Sequence, residues 1–137
     1  MSQVLEENIV ALTPHTLLDR IEIDGVVAEE ADITNVKTRI WQYDTYEDAA
    51  SDTDGTEVGS EITTLAADCM HDTLQLDAMW GTRDRIGYNC KIVIPKARFP
   101  AGGKYYRVDR KVQPSAVGAE DFLLEPWILY ALPTVLD

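Results

Sequence analysis

Across residues 87–112, apolar and polar side chains alternate with period two, interrupted by glycine and proline. In Gly87-Tyr88-Asn89-Cys90-Lys91-Ile92-Val93-Ile94-Pro95, the side chains of Tyr88, Cys90, Ile92 and Ile94 share one face of an extended chain. Asn89 and Lys91 fall on the other face. Successive side chains of a strand point to opposite sides, so this spacing predicts a strand with one buried and one wet face. After Phe99-Pro100-Ala101-Gly102-Gly103 the alternation restarts. Tyr106, Val108 and Val112 then point one way, and Tyr105, Arg107, Asp109 and Lys111 the other.

The same period recurs elsewhere. Leu17, Asp19, Ile21 and Ile23 alternate with Leu18, Arg20 and Glu22, and Asp24-Gly25 supplies a turn. The acidic residues 28–32 read as a loop or a single helical turn. Residues 33–43 predict a strand in which Val36, Thr38 and Ile40 alternate with Lys37, Arg39 and Trp41. Residues 44–59 form the most polar segment and are expected to be a long loop. Strands are expected at 56–63 and 73–80, the latter with Leu74, Leu76, Ala78 and Trp80 on one face. The last element, 122–130, is interrupted by Pro126; because proline cannot donate to a ladder, it is an edge strand or bends there. About seven short strands at regular spacing predict an all-β sandwich or barrel. The expected organisation is an N-terminal arm (1–13), a β-sandwich domain (14–132) and a C-terminal tail (133–137).

A chain of 137 residues fits one domain with a real core, and an apolar content of 45% is ordinary for a globular protein. The first residues lack the basic start and apolar core of a signal peptide. The apolar run 127–132 is far short of the roughly 20 residues of a membrane helix. A soluble protein made in a cytoplasm, with no membrane partner, is therefore expected. Cys69 and Cys90 lie too far from any framework spacing to read as more than two small buried residues.

Net charge is −12 but unevenly spread: residues 1–72 carry −14 and residues 73–137 carry +2. Nine bases lie between Arg83 and Lys111. Two readings stay open: a solvated sandwich with an acidic and a basic end, or head-to-tail contact with identical neighbours or a charged partner.

Asp52, Asp54 and Glu61 partly fit a calcium loop with Gly55 as its turn, yet Ala50 stands where the first ligand would be. A solvated turn is the plainer reading. Cys69, His71 and Cys90 lack zinc-site spacing. No nucleophile elbow or phosphate-binding glycine loop occurs, and acids are too abundant for carboxylate pairs to inform. An enzyme is not expected, nor a cofactor. Bases interleaved with Tyr88, Phe99, Tyr105 and Tyr106 would suit single-stranded nucleic acid, but strong net acidity opposes that partner. Trp80 is expected in the core. The interface candidates are Trp41, Arg107, Arg110, Trp127 and Tyr130, since aromatic residues and arginine are enriched at interfaces. Apolar arms at Ile9-Val10-Ala11-Leu12 and around Trp127 would suit a protein that docks on a lattice or exchanges arms with a neighbour.

Asp84-Arg85-Ile86-Gly87-Tyr88-Asn89-Cys90 resembles the tyrosine corner of immunoglobulin-like sandwiches, where a tyrosine two residues before a cysteine pins a strand crossover. That resemblance implies a corner role for Tyr88 and an Ig-like antiparallel β-sandwich. The chain departs from the pattern in lacking a cysteine at the distance of the inter-sheet disulfide. More loosely, the Asp-rich turn before Leu74-Gln75-Leu76-Asp77-Ala78-Met79-Trp80, then Gly87-Tyr88-Asn89, Phe99-Pro100-Ala101-Gly102-Gly103-Lys104-Tyr105 and the Trp-bearing final strand resemble small sandwich proteins of tailed-bacteriophage virions. The resemblance implies a virion structural protein, a capsid decoration or cement protein that binds the major capsid protein lattice and forms homo-oligomers. The alternative is a tail, neck or fibre adhesion module that binds glycan or peptide through loops such as 44–59, with or without calcium.

Overall fold

The computed structural model describes residues 5–81 and 83–133. The chain begins with β1 (Leu5–Val10) and β2 (His15–Asp19), then a hairpin of β3 (Glu22–Ile23) and β4 (Val26–Val27), then the long β5 (Ile33–Tyr43). Helix α1 (Tyr46–Ser51), β6 (Thr56–Glu57), β7 (Ile62–Leu65), the single turn α2 (Ala66–Cys69) and β8 (Met70–Gln75) follow. The last strands are β9 (Tyr88–Ile94), β10 (Tyr105–Pro114), β11 (Phe122–Leu123) and β12 (Trp127–Leu132).

Among the described residues the large sheet runs β1-β12-β10-β5-β6, and the facing small sheet runs β2-β9-β8. β11 continues the β12 side of β10, and β7 continues the β6 side of β5, so each flank of the central β5–β10 pair is covered by two short strands. Val36, Ile40, Tyr106, Val108, Val112 and Leu129 of the large sheet meet Leu17, Cys90, Ile92 and Ile94 of the small one. Burial of these faces is the driving force, since an alternating strand hides apolar area only against a second layer. The expected all-β sandwich is thus the observed fold.

β5 and β10 follow the alternation closely and pair antiparallel over most of their length. β9 buries Tyr88, Cys90, Ile92 and Ile94 as the pattern predicts. Its other face is not uniformly wet, because residues 20–28 fold over it and bury Asn89 completely. The Asn89 amide accepts from the Ile21 backbone N–H (2.7 Å) and donates to the carbonyls of Ile21 (2.9 Å) and Ala28 (2.8 Å). A buried amide needs such partners, and here they fix the base of the β3–β4 hairpin. The hairpin turns at Asp24 and Gly25, both with positive φ, as a primed turn requires.

Four expectations change. The segment 1–13 is not a free arm: residues 5–10 are β1, paired in parallel with β12 from Leu5↔Trp127 to Val10↔Leu132. Pairing with β10 is interrupted at residues 124–126, around Pro126, but β12 beyond it is an interior strand because β1 covers its second edge. Residues 44–59 hold α1, which Thr45 caps through its hydroxyl oxygen by accepting from the Asp48 N–H (3.2 Å). The strand expected at 73–80 ends at Gln75, and residues 77–80 turn, with Asp77 accepting from the Met79 N–H (3.0 Å). Trp80 is still buried, reached through that turn rather than along a strand. Apart from Pro133, the expected tail 133–137 lies outside the described residues.

Candidate docking face on the large sheet

Register decides which outward side chains meet. β5 and β10 place Lys37 directly opposite Lys111, and Lys37 also pairs with Thr63 of β7 while Lys111 pairs with Leu123 of β11. A row of four therefore crosses the outer face: Thr63, Lys37, Lys111, Leu123. Side chains directly opposite in an antiparallel pair stand about 5 Å apart at Cβ, and like charges there destabilise the sheet. Neither lysine joins any ion pair found among the described residues. Leu123 is 71% exposed and Leu65, beside the next row, 56%.

The rows above are internally satisfied. Arg39 stands opposite Asp109 and leans to Glu57 (3.1 Å) and Glu61 (3.7 Å). Trp41 stands opposite Arg107, with the Arg39 guanidinium 6.0 Å from the indole centroid. Arg107 donates to the carbonyls of Ala49 (2.9 Å) and Ala50 (3.1 Å), satisfying the end of α1, and to Asp109 (3.1 Å). Burial raises the Asp109 carboxyl pKa, and the Arg107 charge opposes that shift. α1 covers the upper part of the face by packing Ala49 against Tyr43 and Ile128. The lower part stays open as a shallow cleft of about 200 Å³ between Lys37, Arg39, Trp41, Lys111 and Leu123, with the carboxylates of Glu61 and Asp109 also in its wall.

Of the five interface candidates, Trp41 and Arg107 are partners in register on this face, and Tyr130 lies on the same side, its ring tilted against Tyr105 with centroids 4.8 Å apart. The other two are corrected. Arg110 has no solvent exposure: it lies on the inner face, pairs with Asp19 of β2 and donates to the Glu125 carbonyl (2.7 Å). Trp127 is buried in the core between the sheets. The reason for the first is parity: position 110 is in phase with Tyr106, Val108 and Val112, and its cation makes an ion pair that joins the sheets.

The Tyr88 hydroxyl donates to the Asp77 carboxylate (2.8 Å) rather than to a backbone group, and so ties down the connection between the neighbouring strands β8 and β9 instead of a crossover between sheets. Burial raises its pKa, as does the Asp77 contact. The calcium candidates are not gathered. Asp52 closes α1 in a left-handed conformation and accepts from the Tyr43 hydroxyl, and Glu61 sits beside Arg39. Among the described residues no cluster of three or more His, Cys, Asp or Glu side chains fits a metal ion. Cys69 and Cys90 are free and buried in the same core cluster; the neighbouring thiol lowers the pKa of Cys69 and, with burial, raises that of Cys90.

A second polar cluster, which no local sequence pattern signals, centres on Asp84. Asp84 accepts from Arg20 (2.7 Å), the Trp80 indole N–H (2.9 Å) and the backbone N–H groups of Ile86 (2.8 Å) and Gly87 (3.0 Å). The Gly87 N–H and then Arg20 hold its carboxyl well below the usual carboxylate range. Arg83 lies 4.0 Å over the Trp80 ring and donates to the Leu18 carbonyl (2.7 Å). These contacts close the 77–87 connection onto the small sheet. The adjoining cleft of about 460 Å³ is walled partly by the same groups, Arg20 and Asp84 already neutralising each other.

The chain matches no protein-family model, and neither a curated protein nor a solved structure matches it.

Proposed function

We propose that this chain is a non-enzymatic structural protein of a tailed-phage virion, a capsid decoration protein that docks on the major capsid protein lattice through the outer face of its large sheet. The observation that carries the reading is the Lys37–Lys111 pair. Two cations stand side by side with no ion-pair partner of their own, the nearby carboxylates of Asp109 and Glu61 being paired with Arg107 and Arg39; the repulsion weakens the isolated sheet, and an acidic partner surface would turn that penalty into attraction. Exposed Leu65 and Leu123 flank the pair, and half-buried Trp41 adds aromatic area, the mixture that interfaces favour. The resemblance to virion sandwich proteins, drawn from the residues quoted above, supplies the identity of the lattice.

The test is cosedimentation of the purified chain with tailed-phage capsid shells stripped of accessory proteins, at about 0.15 M salt, where long-range charge effects are screened. Saturable binding that weakens at least tenfold in Lys37→Glu/Lys111→Glu is expected. Absence of binding to capsid or tail shells overturns the reading. Binding that the double substitution leaves unchanged would remove this face as its basis.

A further inference from the structure

We propose that β1 exchanges between two copies of this chain, the N-terminal strand of each completing the large sheet of the other. The proposal stands apart from lattice binding, since it rests on the connection between β1 and β2 and not on the outer face.

β1 is an edge strand whose seat is fully specified. Six parallel pairs fix its register on β12, Ile9 enters the core, Glu6 accepts from the Tyr46 hydroxyl, and Glu7 meets His15 at 3.0 Å. Each of these partners lies on the body of the domain, so the same residues of a second copy can fill the seat with every contact conserved. Exchange of an identical element is for that reason a low-cost route to a dimer.

The connection favours opening. It is residues 11–14, and at its centre Leu12 has φ +59°. The other non-glycine residues with positive φ among those described are Asp24, Asp52 and Asp54, a residue type that tolerates this region. Leucine does not, and the left-handed conformation disfavours the closed turn by a factor on the order of ten. Leu12 is also 60% exposed, so burial does not offset the strain. Short hinges under strain invite exchange. Pro14 adds to this by fixing its own φ and steering Thr13 toward an extended conformation. What holds the turn closed is an exposed bond from the Thr13 hydroxyl to the Val10 carbonyl (2.5 Å), which water can replace, and the Leu12 N–H on Phe99 (2.8 Å).

The experiment uses the full chain refolded at rising concentration and sized by light scattering, with Leu12→Gly beside it. A dimer whose fraction grows with protein concentration is expected. Leu12→Gly, which tolerates positive φ, should shift the equilibrium toward monomer by on the order of tenfold per hinge. A second variant, Val10→Cys/Leu132→Cys, places thiols at exposed register partners close enough to bridge. Oxidised and denatured without reductant, the dimer fraction should run as a covalent dimer, and each single variant should not. Monomer at every concentration, a dimer indifferent to Leu12→Gly, or bridges confined within single chains would each overturn the exchange.

Discussion

Arg110 and Lys111 are consecutive cations on β10, yet one is sealed between the sheets against Asp19 and the other stands on the outer face opposite Lys37. One step along a strand reverses the face, and with it what a charge does. Inside, a guanidinium removed from water must have fixed partners, and the planar fork of arginine supplies two at once, Asp19 and the Glu125 carbonyl. Burial lowers its pKa from the ordinary arginine value, though not far enough to neutralise it near pH 7. Outside, water and salt screen the Lys37–Lys111 repulsion to a small cost, and the pair remains available to a partner. The inner cation joins the two layers of the fold, and the outer ones leave an attraction unspent.

The contrast is most sharply broken from the inside. Arg110→Ala or Asp19→Ala leaves the surviving charge buried and alone, and about 3–5 kcal/mol of stability should be lost in urea unfolding. The double replacement Asp19→Leu/Arg110→Met should restore most of that loss, because two matched apolar side chains need no counter-charge. A single substitution that costs less than about 1 kcal/mol would mean the pair is not truly withdrawn from water.

A second test uses acid. Asp84 has a folded pKa depressed below its unfolded value near 3.9, chiefly by the Gly87 N–H and Arg20. Its contribution to stability is therefore fully present above about pH 4 and is lost as pH falls through the lower folded value. Thermal melts from pH 5 downward should show this decline, and Asp84→Asn should flatten it while lowering stability at neutral pH. An unchanged acid profile in Asp84→Asn would place the acid sensitivity elsewhere.

The smallest effect belongs to the outer face and has the opposite sign. Lys111→Glu converts the repulsive pair into an attractive one opposite Lys37, so the isolated protein should gain about 0.2–1 kcal/mol in the same urea titration. If the face serves docking, that gain comes with weaker binding to the acidic partner. A destabilised Lys111→Glu would show that the two lysines are not held against each other.

Much of the sheet was legible because it depended only on period two. Val36, Thr38 and Ile40 in β5, Tyr88 to Ile94 in β9, and Tyr106 to Val112 in β10 go in and out as their alternation requires. The signal for Arg110 was present in that alternation too, since its position is in phase with Val108 and Val112; its charge alone argued for the surface. Asn89 misled for a different reason, because a wet face becomes dry when a distant loop covers it. Residues 76–80 alternate as a strand would, yet Asp77 and the Tyr88 hydroxyl hold them in a turn, so local periodicity yielded to a tertiary hydrogen bond. The Asp84 knot draws on Arg20, 64 positions earlier, and no local pattern carries such a contact.

From the sequence by itself followed an all-β sandwich, the location of its longest strands, the turn at Asp24-Gly25 and the concentration of bases after residue 82. Those depend on side-chain period, on backbone preference and on composition, each a property of neighbouring residues. Only the tertiary structure decided that Lys37 faces Lys111, that Arg110 answers Asp19, that the expected arm is a paired strand, and that Leu12 takes a left-handed turn to put it there. Each of these is a matter of register or closure between segments tens of residues apart, and pairing two strands is a choice that neither makes alone.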